Sequence, residues 1–120
     1  MSRDYRKLRA FQLVHNLAVR IYTITRGFPK SELFGITSQM RRTAISVPAN
    51  IVEGCFRPSG KEYLNFLNIA LASLAELGYY IDLSSTLGLL SESDHENLHK
   101  QFQTTIRTLQ ALISSIKTST

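Results

Sequence analysis

The 120-residue chain reads as an all-α protein, an antiparallel up-down four-helix bundle that assembles as a homo-oligomer. Three observations predict it. Apolar residues recur at helical spacing through four segments, separated by short runs rich in glycine, proline and serine. No segment shows the alternation of a half-buried strand, a repeat or a low-complexity tract. The second and third segments are apolar around more of their circumference than a four-helix core uses, which leaves surface for contact between copies.

The first helix is expected over about residues 5–26, where Leu8, Phe11, Val14, Leu17, Ala18, Ile21 and Ile24 keep the spacing. Asp4 is placed to cap it, and Gly27 followed by Pro29 stops it. The loop Gly27–Gly35 carries Phe28, Leu33 and Phe34, too apolar for a free linker, and is expected to fold back over one end of the bundle. A second helix follows over about 36–56, with Met40, Ala44, Val47, Ile51 and Cys55 as its main apolar face. Ile45, Pro48, Val52 and Phe56 extend that face, with Arg41 the single charge on that side. Pro48 removes one main-chain hydrogen bond and bends the axis. Beside the main apolar face, Gln39, Arg42, Ser46, Asn50, Glu53 and Arg57 form a narrow polar ladder expected to run along a seam.

Arg57–Gly60 is the clearest turn in the chain, and Ser59 with Glu62 forms a capping box that opens a third helix over about 60–87, ended by Gly88. Ser91 with Asp94 suggests the next cap, for a fourth helix over about 92–117 striped by Leu98, Phe102, Ile106, Leu109, Ile113 and Ile116. The whole of 1–120 is one domain.

Charge is unevenly placed. Residues 1–60 hold ten Lys/Arg and three acids, or +7; residues 61–120 hold four and six, or −2, together the formal +5. A basic half points to a polyanion such as nucleic acid, or to an acidic protein. The phosphate contacts on offer are Arg3, Arg6, Lys7, Arg9, Arg20, Arg41, Arg42, Arg57 and Lys61, with Arg26 and Lys30 in the following loop. Neither a helix-turn-helix unit nor an aromatic sheet of the RNP type accompanies them, so binding should follow backbone charge and shape more than base identity. Tyr79 and Tyr80 could stack on bases, although aromatic residues on a bundle helix more often serve core or interface. The lone Cys55 lies on an apolar helix face and reads as a structural thiol, which fits a reducing, cytoplasmic setting. With no apolar leader and no long uninterrupted apolar run, no membrane association is expected.

Two motifs suggest enzymes and are set aside. His95-Glu96-Asn97-Leu98-His99 matches the zinc-protease helix, but no Asp, Glu or His follows His99 to complete such a site. The reading there is a solvated first turn with no metal. Gly54 to Lys61 imitates a phosphate loop, but the glycines are wrongly spaced, Glu62 stands where Ser or Thr should bind magnesium, and a helix precedes it. No catalytic residue, cofactor or small-molecule substrate is expected. In the polar ladder, Glu53 and Arg57 have the spacing of an intrahelical ion pair. The rest could bond neighbouring helices or loop carbonyls, and a structural network is favoured over a ligand site.

The stretch FPKSELFGITSQMRRTAISVPANIVEGCFRPSGKEYLNFLNIALASLAEL resembles the bacterial proteins first met in intervening sequences of large-subunit ribosomal RNA genes, the S23 family. The resemblance rests on Phe28-Pro29, Glu32, Gly35, Thr37, Gln39, Arg41-Arg42, Ala44, Ser46, Pro48-Ala49-Asn50-Ile51, Glu53-Gly54, Arg57, Phe66-Leu67, Ala70, Ser73 and Glu76. It implies an up-down four-helix bundle in a ring-like homopentamer. It also implies kinship with the accessory variability protein of diversity-generating retroelements, a basic pentamer that engages a reverse transcriptase and nucleic acid. Phe11 departs from a usual Trp, Phe56 from a small residue, and Leu71-Ala72 from a basic residue and Gly, which weakens polyanion contact from helix three. The resulting expectation is a non-enzymatic homo-oligomer that binds structured RNA or DNA through its basic half. The alternative is a protein-interaction scaffold or accessory subunit of another enzyme, such as a reverse transcriptase.

Overall fold

The computed structural model describes residues 3–119 and folds them into four long helices: α1 (Arg9–Thr25), α2 (Ser38–Cys55), α3 (Gly60–Thr86) and α4 (Glu92–Ser119). No strand occurs among the described residues. The domain expected over 1–120 therefore extends to residues 1, 2 and 120, which lie outside the described residues. α1 packs on α2 and α4, and α3 packs on the same two, so the helices surround one core.

Capping residues set two of the helix starts. The Ser59 hydroxyl accepts from the Glu62 amide at 3.1 Å, the N-cap half of the expected box, and donates to the Glu62 carboxylate at 3.0 Å. Ser91 accepts from the Asp94 amide at 3.0 Å and opens α4. At the other end of α3, Leu89 donates back to the Ser84 carbonyl and Gly88 adopts a φ of 74°, a left-handed turn that favours glycine.

Leu17, Ile21, Met40, Ile51, Leu67, Leu74, Leu77, Ile81, Leu98 and Leu109 are fully buried. Each such side chain contributes about 1.5–3 kcal/mol by leaving water, before the entropy of ordering it is subtracted. The expected face of α2, from Met40 to Cys55, lies in this core, and the Cys55 thiol is buried there. Burial pushes the thiol's pKa up.

The structure corrects several local expectations. Tyr5–Lys7 is a separate 3₁₀ turn, capped by Asp4, and Leu8 is extended, so α1 begins at Arg9 rather than near residue 5. The break lets Tyr5 set its ring edge-on to Phe11 at 4.8 Å. In the loop after α1, Phe28 is buried, but Leu33 is 45% and Phe34 94% exposed, so only part of that loop folds over the core. A five-residue π turn, Leu33–Thr37, then leads into α2, with Gly35 well outside helical geometry.

α2 continues through Pro48, which leaves the Ala44 carbonyl without its helical donor. Its second apolar side stays largely uncovered within one chain: Ile45 and Phe56 are exposed, and Pro48 and Val52 are half-buried. By length and composition α3 could also cross a membrane, with a mean hydropathy of 1.2, although polar residues interrupt its apolar runs. Leu67, Ala70, Leu74, Leu77 and Ile81 are buried in the bundle and account for much of that hydropathy.

Candidate nucleic-acid interface

The basic residues divide between the two ends of α2. At 1.5 Å per residue, Arg41 near its start and Arg57 just past its end stand about 24 Å apart along the axis. Several of these cations are already engaged within the chain.

At the Arg57 end, the Arg3 guanidinium donates to the Arg57 carbonyl at 3.0 Å and lies 4.2 Å above the Tyr63 ring. Arg57 pairs with Glu53 at 2.7 Å, as its spacing predicts, and covers the Phe66 ring at 4.8 Å. Arg6 is held by Asp4 at 3.1 Å. Arg6 is also exposed, as are Lys7, Arg9 and Lys61. A groove of about 540 Å³ beside them is lined by Arg57, Lys61, Asn65, Phe66 and Asn68, with Glu62 among its walls. Tyr63 itself is buried, and desolvation raises its pKa to about 12.

The Arg41 end has fewer cations, but no acid lines its pocket. Arg41 is half-buried; its Nε donates to the Thr25 hydroxyl at 2.9 Å and its guanidinium lies 5.1 Å from the Tyr22 ring. These contacts tie the last turn of α1 to the first turn of α2. They also flank a pocket of about 310 Å³ lined by Arg26, Lys30 and Arg41 together with Thr25, Phe28, Pro29, Leu33 and Thr37. Three cations and no acid line it. The Thr37 hydroxyl is buried without a hydrogen-bond partner among the described residues, an uncommon and costly state for a buried donor.

Two further predicted contacts line neither the groove nor the pocket. Arg20 is half-buried on α1, and Arg42 is exposed on α2. Of the polar ladder, Arg57 reaches a neighbouring helix, covering the Phe66 ring of α3, while the hydrogen bonds of Ser46 and Asn50 stay within α2. Ser46 donates to the Thr43 carbonyl at 2.7 Å and Asn50 to the Ser46 carbonyl at 2.8 Å, while Gln39 and Arg42 are exposed. These bonds stay within the helix although Ser46 and Asn50 are half-buried, because each side chain returns to a main-chain carbonyl three or four residues back. Helical periodicity grouped the ladder on one face, but it could not tell which members would bond within the helix and which would reach a neighbour. Nor did it signal the aromatic rings of Tyr22, Tyr63 and Phe66, which engage three of the nine predicted contacts. Tyr79 is exposed and Tyr80 half-buried, their rings 5.8 Å apart.

A sequence model described as the 23S rRNA-intervening sequence protein family matches residues 6–111. The chain belongs to this family. No curated protein matches it. The fold is similar to a crystal structure from Bacteroides thetaiotaomicron VPI-5482, described as a protein with unknown function from the S23 ribosomal protein family. That likeness has a TM-score of 0.80 at 24% identity, over 88% of this chain and 95% of the other. Family membership thus rests on the sequence match, and the solved relative shows the helical fold alone.

Proposed function

We propose that this family member is a non-enzymatic, cytoplasmic, homo-oligomeric bundle that binds structured RNA or DNA through the phosphate backbone. The observation that carries this reading is the pocket where α1 meets α2. Arg26, Lys30 and Arg41 present positive charge with no lining acid, which suits a phosphate group. Lys7, Arg9 and Lys61, exposed at the other end of α2, supply a second contact along the same backbone.

The proposed topology is antiparallel and up-down. Support comes from Arg3 reaching Arg57 at one end of the α1–α2 pair and Thr25 meeting Arg41 at the other. A ring of five copies, as the family resemblance implies, would repeat each pocket and turn a modest affinity into avidity.

The test is fluorescence anisotropy of labelled structured RNA and duplex DNA at two salt concentrations. Binding should weaken with salt, with a log–log slope of about −0.9 per phosphate contact on a duplex. Arg26→Glu with Lys30→Glu should preserve the fold, since both residues are exposed, and lower affinity at least about tenfold while flattening the slope by about 2. Arg41→Ala is a poorer probe because its loss also unties α1 from α2. An unchanged affinity in the double variant would remove the pocket from the interface, and no binding at low salt would end the nucleic-acid reading.

A scaffold or accessory role, for instance beside a reverse transcriptase, is the second reading. Phe34, 94% exposed on the rim loop beside the pocket, favours it, since a bare aromatic side chain suits a protein partner.

A further inference from the structure

The His95–His99 pair has a third potential ligand, and it lies upstream. Asp82, on the last turns of α3, brings Oδ1 to 2.9 Å from His95 Nε2 and 3.9 Å from His99 Nδ1. One donor atom from each of the three residues lies within 4.8 Å of the others. A His–Asp hydrogen bond explains the first distance. It does not explain the second, which is too long for a hydrogen bond yet turns another imidazole toward the same carboxylate.

We propose that Asp82, His95 and His99 bind a divalent transition ion of the zinc class that clips α3 to α4. Zinc–nitrogen and zinc–oxygen bonds of about 2.0–2.1 Å in a tetrahedron place neighbouring donors about 3.4 Å apart. The observed 2.9 and 3.9 Å bracket that edge for the two Asp82 pairs, and the histidine donors, within 4.8 Å of each other, must close by up to about 1.4 Å, a side-chain rotation open to groups that reach solvent. Two imidazoles with one carboxylate select zinc, cobalt, nickel or copper over calcium or magnesium, which prefer oxygen donors.

The backbone holds the ligands ready. The pair sits one turn apart on α4, with ring centroids 5.9 Å apart. The left-handed turn at Gly88 and the Leu89–Ser84 hydrogen bond set the approach of α3 to α4. Three protein ligands leave one tetrahedral position to water. Glu96, which a zinc protease would use as general base, is 67% exposed and pairs with Lys100 at 3.8 Å. The site is accordingly proposed as a clip, with no reaction assigned, and it is independent of the nucleic-acid reading.

The test uses the untagged full chain, stripped with EDTA and titrated with zinc sulfate by calorimetry and thermal melting. The expected result is one zinc per chain and a melting temperature that climbs with the logarithm of zinc concentration, with magnesium and calcium inactive. Cobalt should give the intense visible bands of a tetrahedral site in the wild type. Asp82→Asn, His95→Gln and His99→Gln should each weaken zinc at least about tenfold and leave the far-ultraviolet circular dichroism unchanged. If wild type takes up no stoichiometric zinc, the proposal fails. It fails equally if Asp82→Asn binds as well as wild type, because the histidine pair would then be acting alone as any such pair on a helix can.

Discussion

Tyr63 shows how one side chain couples charge, burial and the chain terminus. Its ring is buried under the Arg3 guanidinium, and desolvation holds its pKa at about 12 rather than the ordinary 10.0. Above pH 10 the unfolded chain loses this proton while the folded chain keeps it, so stability falls as pH rises from 10 toward 12 and is intact below 10. We expect urea unfolding to lose on the order of 1–2 kcal/mol across that window, with Arg3 offsetting part of the shift. Tyr63→Phe should flatten that slope; an equal slope in both proteins would locate the alkaline loss elsewhere. Residue types alone showed that Arg3 and Arg57 are basic and that Cys55 is structural. They could not show that Arg3 is spent on a carbonyl and a ring, because its partners lie 54 and 60 positions away in sequence.

Among the elements, the capping boxes and periodic stripes were legible because both are local: Ser59 and Ser91 start their helices as their spacing predicts. The segment before α1 was not, since Leu8 breaks the helical pattern, its N–H closing a local turn onto Tyr5 while its side chain packs on the core. Asp82 was missed for the same reason, as its distance from His95 depends on how α3 lies against α4. That approach is close at Gly78, where a Cβ would fall inside the contact surface of the Phe102 ring. Gly78→Ala should therefore destabilise the protein by about 1–3 kcal/mol, despite the better helix propensity of alanine. Adding Phe102→Leu should recover part of the loss in denaturant titrations. Stabilisation by Gly78→Ala alone would mean that the ring moves aside freely.

For the whole molecule, pairing of α1 with α2 converts an uneven sequence into an uneven surface, the +7 half on one side of the bundle and the −2 half on the other. Exposed apolar residues also occur on both sides: Val19, Ile45 and Phe56 on the basic half, Ile69 and Tyr79 on the acidic half. Unlike patches on two faces suit a head-to-tail contact, the kind that closes into rings. Ile45→Glu with Phe56→Glu should leave helical content unchanged and reduce the mass in sedimentation to that of one chain. A wild type already monomeric when dilute would overturn the proposed oligomer. The most extensive seam, between α2 and α3, joins helices separated only by the turn at Phe56–Ser59. Loop closure across so few residues costs little entropy, so this hairpin can form before the distant α1–α4 contact is made. Mutations in the α2–α3 seam should therefore slow refolding, whereas those between α1 and α4 should mainly hasten unfolding.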